Sequence, residues 1–246
     1  MQTVLITGCS SGFGLETARH FLAQGWRVVA TMRTPNAELF PASEHLKVVA
    51  LDVTDPASIQ RALAEAGPID VLVNNAGIGM FNALEGTPIE VARDVFETNT
   101  LGTFAMTQAV LPQFREKKAG TIINVTSTVT LRPLPLLSVY TASKAAVNAF
   151  SESVAHELAP FGIRVRVVLP GRAPTTRFGE NARARIGDFP APYADFAGKV
   201  FEGLRDATTP TTSSSAVAEA VWRAATDPNC PARIPAGEDA EIWFNA

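Results

Sequence analysis

Apolar residues along this chain gather in short unbroken runs, separated by longer stretches in which they recur every three or four positions. The short runs predict strands at residues 3–6, 27–31, 46–51, 71–73, 121–126 and 163–169, with a brief last strand near Ile234. The amphipathic stretches predict a helix over 15–24, stopped by Gly25. Another opens at Pro56, with Asp55 as its N-cap, and runs to about Ala66. One long helix is predicted over 88–117 with a kink at Pro112, and others over 141–159 and from the Ser-rich 213–215 to about Thr226. Strand and helix alternate, and several strands are apolar without alternation, as in strands buried on both faces. The expected class is therefore α/β: a doubly wound parallel sheet of about seven strands with helices on both faces.

Composition narrows the function without naming it. The 246 residues carry 21 Lys plus Arg against 24 Asp plus Glu, a net charge of −3. A nucleic-acid or anionic-membrane binder would show a basic excess, so neither partner is expected. Only Cys9 and Cys230 occur, which excludes a disulfide framework and fits a reducing, cytoplasmic setting. MQTVLITG has no basic region ahead of an apolar stretch, and no apolar run approaches the roughly 18 residues of a membrane span. His20, His45 and His156 have no mutual spacing that points to a metal. No linker or repeat interrupts the chain, so residues 1–246 read as a single domain, with a change of character over 172–212.

The first strand runs into Thr7-Gly8-Cys9-Ser10-Ser11-Gly12-Phe13-Gly14 before the first helix. Glycines in such a turn let the backbone approach a pyrophosphate, and the helix N-terminus offers amide donors to it. The spacing is Gly-x-x-x-Gly-x-Gly rather than Gly-x-Gly-x-x-Gly, and a tight turn without ligand reads the same way. An NAD site places an acidic residue about 20 residues further on, at the end of the second strand. Arg33 stands there instead, where a guanidinium can pair with a 2′-phosphate, assisted by Ser10 and Ser11. That favours NADP(H) over NAD(H); a solvated loop arginine is the plainer alternative.

Tyr140 and Lys144 stand at i and i+4, on one face of the helix predicted around them. A phenol with pKa near 10 is a poor acid or base at neutral pH, and a neighbouring cation moves it toward the useful range. Ser127 follows the strand at 121–126, at the sheet edge where doubly wound folds bind ligands, and can orient a carbonyl oxygen. A serine satisfied by its local backbone is the alternative. Asn99 is an awkward helix-interior residue that can hold a water or mark a local distortion.

Taken together, Thr-Gly-x-x-x-Gly-x-Gly at 7–14, Asn-Asn-Ala-Gly at 74–77, Asn99, Ser127, Tyr140-x-x-x-Lys144 and Pro170-Gly171 resemble the short-chain dehydrogenase/reductase superfamily. The resemblance covers about residues 3–176, and GCSSGFG followed by ATMR is similar to its 17β-hydroxysteroid and retinol dehydrogenase-like members. It implies a Rossmann-type NAD(P)-binding domain and a catalytic tetrad. In that tetrad Tyr140 is the acid/base, Ser127 its orienting partner, Lys144 the group that lowers the tyrosine pKa and bonds the nicotinamide ribose, and Asn99 the holder of a relay water. It further implies that Asp52 and Val53 contact the adenine, that Asn75, Ala76 and Gly77 support the adenosine ribose, and that Pro170, Gly171 and Thr175 receive the nicotinamide. A homodimer or homotetramer built on the helices at 88–117 and 141–160 is implied as well. Thr130 departs from the family, which often has glycine three residues after the serine.

Specificity is expected from residues 78–84, 131–139 and 176–206, which hold Met80, Phe81, Leu131, Leu134, Leu136, Leu137, Phe178, Phe189, Tyr193, Phe196 and Phe201. They suit an apolar pocket for a hydrophobic small-molecule carbonyl or alcohol, or they merely pack the loops. Arg172, Arg177, Arg183 and Arg185 can instead recognise an acidic substrate, or are solvated loop arginines, the commoner case. The reading is thus an NADP(H)-dependent oxidoreductase interconverting a carbonyl and an alcohol. A catalytically idle NADP-binding or redox-sensing protein is its rival, and a nucleotide-sugar epimerase usually brings a longer C-terminal region.

Overall fold

The computed structural model describes residues 1–176, 178–183, 189–205 and 208–246. Its strands are β1 (Thr3–Ile6), β2 (Arg27–Met32), β3 (Leu46–Ala50), β4 (Val71–Asn74), β5 (Gly120–Val125), β6 (Ile163–Pro170) and β7 (Arg233–Ala236). They form one sheet in the order β3-β2-β1-β4-β5-β6-β7, every pair parallel. This is the expected doubly wound, Rossmann-type α/β arrangement. The chain winds outward in one direction from β1 and in the other from β4, so a crevice opens between their C-terminal ends.

Helices α1 (Gly12–Ala23) and α8 (Ser214–Thr226) cover one face of the sheet. Phe21, Trp26 and Trp222 meet there edge-on, with ring centroids 5.0 to 5.6 Å apart. Helices α2 (Pro56–Ala66), α4 (Gly102–Lys117) and α5 (Ser138–Leu158) cover the other face through Ile59, Met106, Phe114 and Val154. Two separate apolar clusters on opposite faces explain why the central strands carry no polar alternation. Asp55 caps α2 through Ala57 N–H, and Ser213 caps α8 through Ala216 N–H, both where the sequence places them.

The long helix predicted over 88–117 is broken. A helix α3 (Ile89–Phe96) passes into a π-helical turn (Glu97–Leu101) before α4, and Pro112 stands inside α4. The interruption is at Asn99 because its buried side chain bonds the Ile78 backbone rather than lying along the helix. The first helix also starts earlier than predicted, at Gly12, since glycine's low helix propensity hides a start that tertiary contact enforces. Beyond β6 lie α6 (Phe178–Arg183), α7 (Ala194–Arg205) and a C-terminal helix α9 (Glu238–Phe244) that the sequence pattern did not announce. Among the described residues no helix is long and apolar enough to cross a membrane, and no group of His, Cys, Asp and Glu could hold a metal.

Phe114 is fully buried against the sheet. Phe114→Ala is expected to cost about 3–5 kcal/mol in urea unfolding, while exposed Leu84→Ser stays within about 0.5 kcal/mol.

Candidate active site

The turn from β1 to α1 is held by Thr7, whose hydroxyl accepts the Asn75 and Ala76 N–H groups at 3.0 and 2.9 Å. Asn75 returns a bond from Nδ2 to Thr7 O at 2.9 Å. Gly8 adopts φ +75, and a Cβ on Gly14 would run into the Gly8 carbonyl, so both positions need glycine for the helix to start this close to the loop. Ser11 is the N-cap of α1 but makes no capping bond, and the first turn holds no acidic residue. The N-terminal amides of α1 therefore face the crevice with a positive dipole end.

On the other side of the crevice, β5 delivers Ser127 and α5 delivers Tyr140 and Lys144, all buried. The Ser127 hydroxyl lies on the same cleft wall as the Tyr140 phenol and acts to lower its pKa. Ser127 Oγ also accepts Val129 N–H at 3.3 Å, so the local-backbone reading of this serine coexists with the orienting one. Lys144 donates to Val125 O at 3.0 Å. Asn99 accepts Ile78 N–H at 2.7 Å and donates from Nδ2 to Ile78 O and to Ser143 Oγ, which in turn donates to Tyr140 O at 2.7 Å. Of the two sequence readings of Asn99, the local distortion is the one visible in the backbone. Thr130 replaces the missing glycine with a tie of its own: its hydroxyl donates to Ser127 O at 2.8 Å and accepts from Asn148 Nδ2 at 2.9 Å.

Burial pushes the Tyr140 phenol up to about 12, opposed by the Ser127 hydrogen bond, and brings the Lys144 ammonium down to about 8. The expected lowering of the phenol by Lys144 is not found here. Both groups sit where water cannot stabilise charge, and Lys144 spends its hydrogen bond on Val125 O.

A cleft of about 1150 Å³ joins the two sides. Gly8, Ser10, Ser11, Gly12, Phe13, Arg33, Asp52, Val53, Asn75, Ala76, Gly77, Ser127, Tyr140, Lys144, Pro170 and Gly171 all line it. Gly14 packs behind the loop, Asn99 is buried behind Gly77, and Thr176 rather than Thr175 reaches the wall. Asp52 is held below the usual carboxylate range by the Thr54 N–H and hydroxyl, with Arg33 a smaller attraction nearby. Thr126 also lines the cleft, and its buried hydroxyl has no partner.

At the Tyr140 end, Phe81, Val129, Leu134, Leu137 and Phe178 form an apolar cluster around the phenol ring, with Phe178 5.4 Å away. Phe201 lies behind Phe81. Leu136, Phe189 and Tyr193 pack in a second cluster, Met80 is interior, and Phe196 is exposed. Of the candidate arginines, Arg172 lines the cleft; Arg177, Arg185 and the Arg183 side chain lie outside the described residues. Sequence reasoning missed Thr212, Asp239 and Trp243. The last two line the cleft from α9, and Arg132 stacks over Trp243 at 5.4 Å. No local motif marks them, because their positions follow from long-range packing.

A family model described as short chain dehydrogenase matches residues 2–186. The chain is 41% identical over 186 residues to the uncharacterized oxidoreductase YusZ of Bacillus subtilis (strain 168), covering 71% of this chain and 66% of that protein. It is 40% identical over 182 residues to retinol dehydrogenase 8 of Bos taurus, covering 69% and 58%. The chain thus spans less than two thirds of either relative's length. A solved short-chain dehydrogenase from Streptomyces avermitilis superposes with TM-score 0.84 at 33% identity, covering 99% of this chain and 90% of that one. The closed form of serine dehydrogenase complexed with NADP+ gives TM-score 0.79 at 31% identity, covering 95% and 94%.

The Lys144 ammonium is disfavoured in the fold, so between about pH 8 and 10.5 the unfolded chain binds more protons and stability rises with pH. Urea unfolding across that window is expected to show wild type gaining on the order of 3 kcal/mol relative to Lys144→Met. A difference that does not vary with pH contradicts a buried ammonium.

Proposed function

Because the chain belongs to the short chain dehydrogenase family, we propose that it is an NADP(H)-dependent oxidoreductase interconverting an apolar carbonyl compound and its alcohol. The observation that carries this reading is the placement of Ser127, Tyr140 and Lys144, all buried, at one end of a cleft whose other end is a glycine loop at a helix N-terminus.

The residues present fit a dinucleotide. Uncapped amides at the start of α1 suit a pyrophosphate, and the partnerless Thr126 hydroxyl on the cleft wall suits a polar ligand. Gly8, Ser10, Ser11, Gly12 and Phe13 would hold the phosphates, Arg33 a 2′-phosphate, and Asp52 and Val53 the adenine. Asn75, Ala76 and Gly77 would border the ribose, and Pro170 and Gly171 the nicotinamide, which supplies or accepts the hydride.

The chain's own residues handle the proton and the orientation. With its pKa pushed up to about 12, Tyr140 is protonated at neutral pH and donates to the oxygen of a carbonyl being reduced. Ser127 donates to the same oxygen and fixes its position. Lys144, anchored on Val125 O, stands one helical turn beyond the phenol and borders the ribose site. Phe81, Val129, Leu134, Leu137 and Phe178 exclude water and select a hydrophobic substrate of the steroid, retinoid, aliphatic or aromatic ketone type. The same reading places subunit contacts of a homodimer or homotetramer on α4 and α5, where Phe104 stacks on Phe150 at 4.1 Å.

Three measurements test this. A screen of ketones, aldehydes, steroids and retinoids should reveal turnover with NADPH. Tyr140→Phe is expected to keep NADPH binding, read by fluorescence, while turnover falls by about 10²–10⁴; retained turnover dismisses Tyr140 as the proton donor. Arg33→Ala is expected to weaken NADPH binding about tenfold and leave NADH binding unchanged. Equal loss for both cofactors sinks the 2′-phosphate assignment.

A further inference from the structure

We infer that Asp239 and Thr212 form a clamp that positions the Gly171–Arg172 corner of the cleft, making Asp239 a positioning residue for the nicotinamide end of the cofactor site. The inference rests on the cofactor reading above and adds to it a residue from the C-terminal helix.

The geometry is a closed set of bonds between three segments distant in sequence. Asp239 Oδ2 accepts Arg172 N–H at 2.6 Å, and Asp239 Oδ1 lies 2.7 Å from the Thr212 hydroxyl. That hydroxyl accepts Gly171 N–H at 3.0 Å and also lies 2.9 Å from Ala236 O. Thr212 N–H donates to Arg172 O at 2.7 Å, completing a two-way pairing of 171–172 with 212. Both side chains are almost wholly buried, Thr212 at 1% and Asp239 at 5% exposure. A carboxylate suits this place because it only accepts, and a backbone N–H and a hydroxyl both converge on it.

Two glycines exist to let the clamp close. A Cβ on Gly171 would run into the Asp239 carboxylate, and one on Gly237, at φ +104, would run into the Thr212 hydroxyl. The glycine of the Pro170-Gly171 pair thus has a steric cause: the C-terminal helix needs to approach it. The clamp also reaches the substrate side. From the clamped residue, the Arg172 guanidinium donates to Leu204 O in α7 and to Thr209 O. One turn along α9 from Asp239, Trp243 lines the cleft under Arg132. Loosening Asp239 would therefore move the cofactor corner and the far wall together.

The test uses the purified 246-residue chain with NADPH as the probe and compares Asp239→Asn, Thr212→Val and Thr212→Ser. In Asp239→Asn the negative charge is lost and one of the two accepting oxygens becomes an NH2 donor, and in Thr212→Val the shape stays but the hydroxyl is lost. Both are expected to raise the NADPH dissociation constant about tenfold, the effect of one lost hydrogen bond to a charged group. Both are also expected to speed hydrogen exchange at the Arg172 amide, whereas Thr212→Ser stays within about twofold of wild type in each readout. If wild type binds NADPH and the two disruptive variants bind it equally well, the clamp's role is overturned. If wild type does not bind NADPH, the cofactor reading fails instead, and Arg172 exchange unchanged in Asp239→Asn would refute the clamp on its own.

Discussion

Seven parallel strands end along one edge, and each leaves polar groups there that no neighbouring strand can complete. In this protein nearly every feature of the candidate site is an answer to that constraint. The Thr7 hydroxyl closes β1 against the Asn75-Ala76 backbone. The Asn74 amide bonds Asn124 at 2.9 Å, and Asn124 bonds Ser151 of α5 at 2.8 Å, carrying the pairing from β4 through β5 to the helix. Lys144 takes the Val125 carbonyl, and Thr212 takes the Gly171 amide beyond β6. A buried polar group without a partner costs roughly 1–3 kcal/mol, so these ties hold the site's side chains in fixed places. The cleft opens above these ties, where the winding reverses between β1 and β4 and no crossover covers the gap.

That constraint also explains the protonation of the site. Tyr140 and Lys144 are carried inside by the helix that seals β5 and β6, so dehydration acts on both and favours their neutral forms. The sequence spacing suggests a lysine tuning a tyrosine. Burial acts on each group, and Ser127 rather than Lys144 opposes the rise of the phenol's pKa. An acid that keeps its proton at neutral pH, beside a second hydroxyl donor and inside an apolar cluster, matches the demands of carbonyl reduction.

What the sequence made legible was local or periodic. Unbroken apolar runs marked the strands, Asp55-Pro56 marked the start of α2, and the glycine loop, Ser127 and the Tyr140–Lys144 pair marked both ends of the cleft. The features it hid depend on contacts far along the chain. Asn99 breaks the long helix because of Ile78, 21 residues away, and α1 begins at Gly12 because Gly14 must pack on Gly8. Asp239 meets Arg172 across 67 residues, and nothing near Glu238–Phe244 forecasts it. Thr130, where the chain departs from the family pattern, ties Ser127 O to Asn148 of α5.

The central claim is that one cleft holds a nicotinamide dinucleotide along its length and presents its reactive end to Tyr140. A crystal structure of the protein with NADP+ tests it most directly. The account predicts the pyrophosphate at the N-terminus of α1, the 2′-phosphate beside Arg33, and the nicotinamide between Tyr140 and Gly171. Dinucleotide bound elsewhere, or in this cleft with its ends reversed, would contradict it.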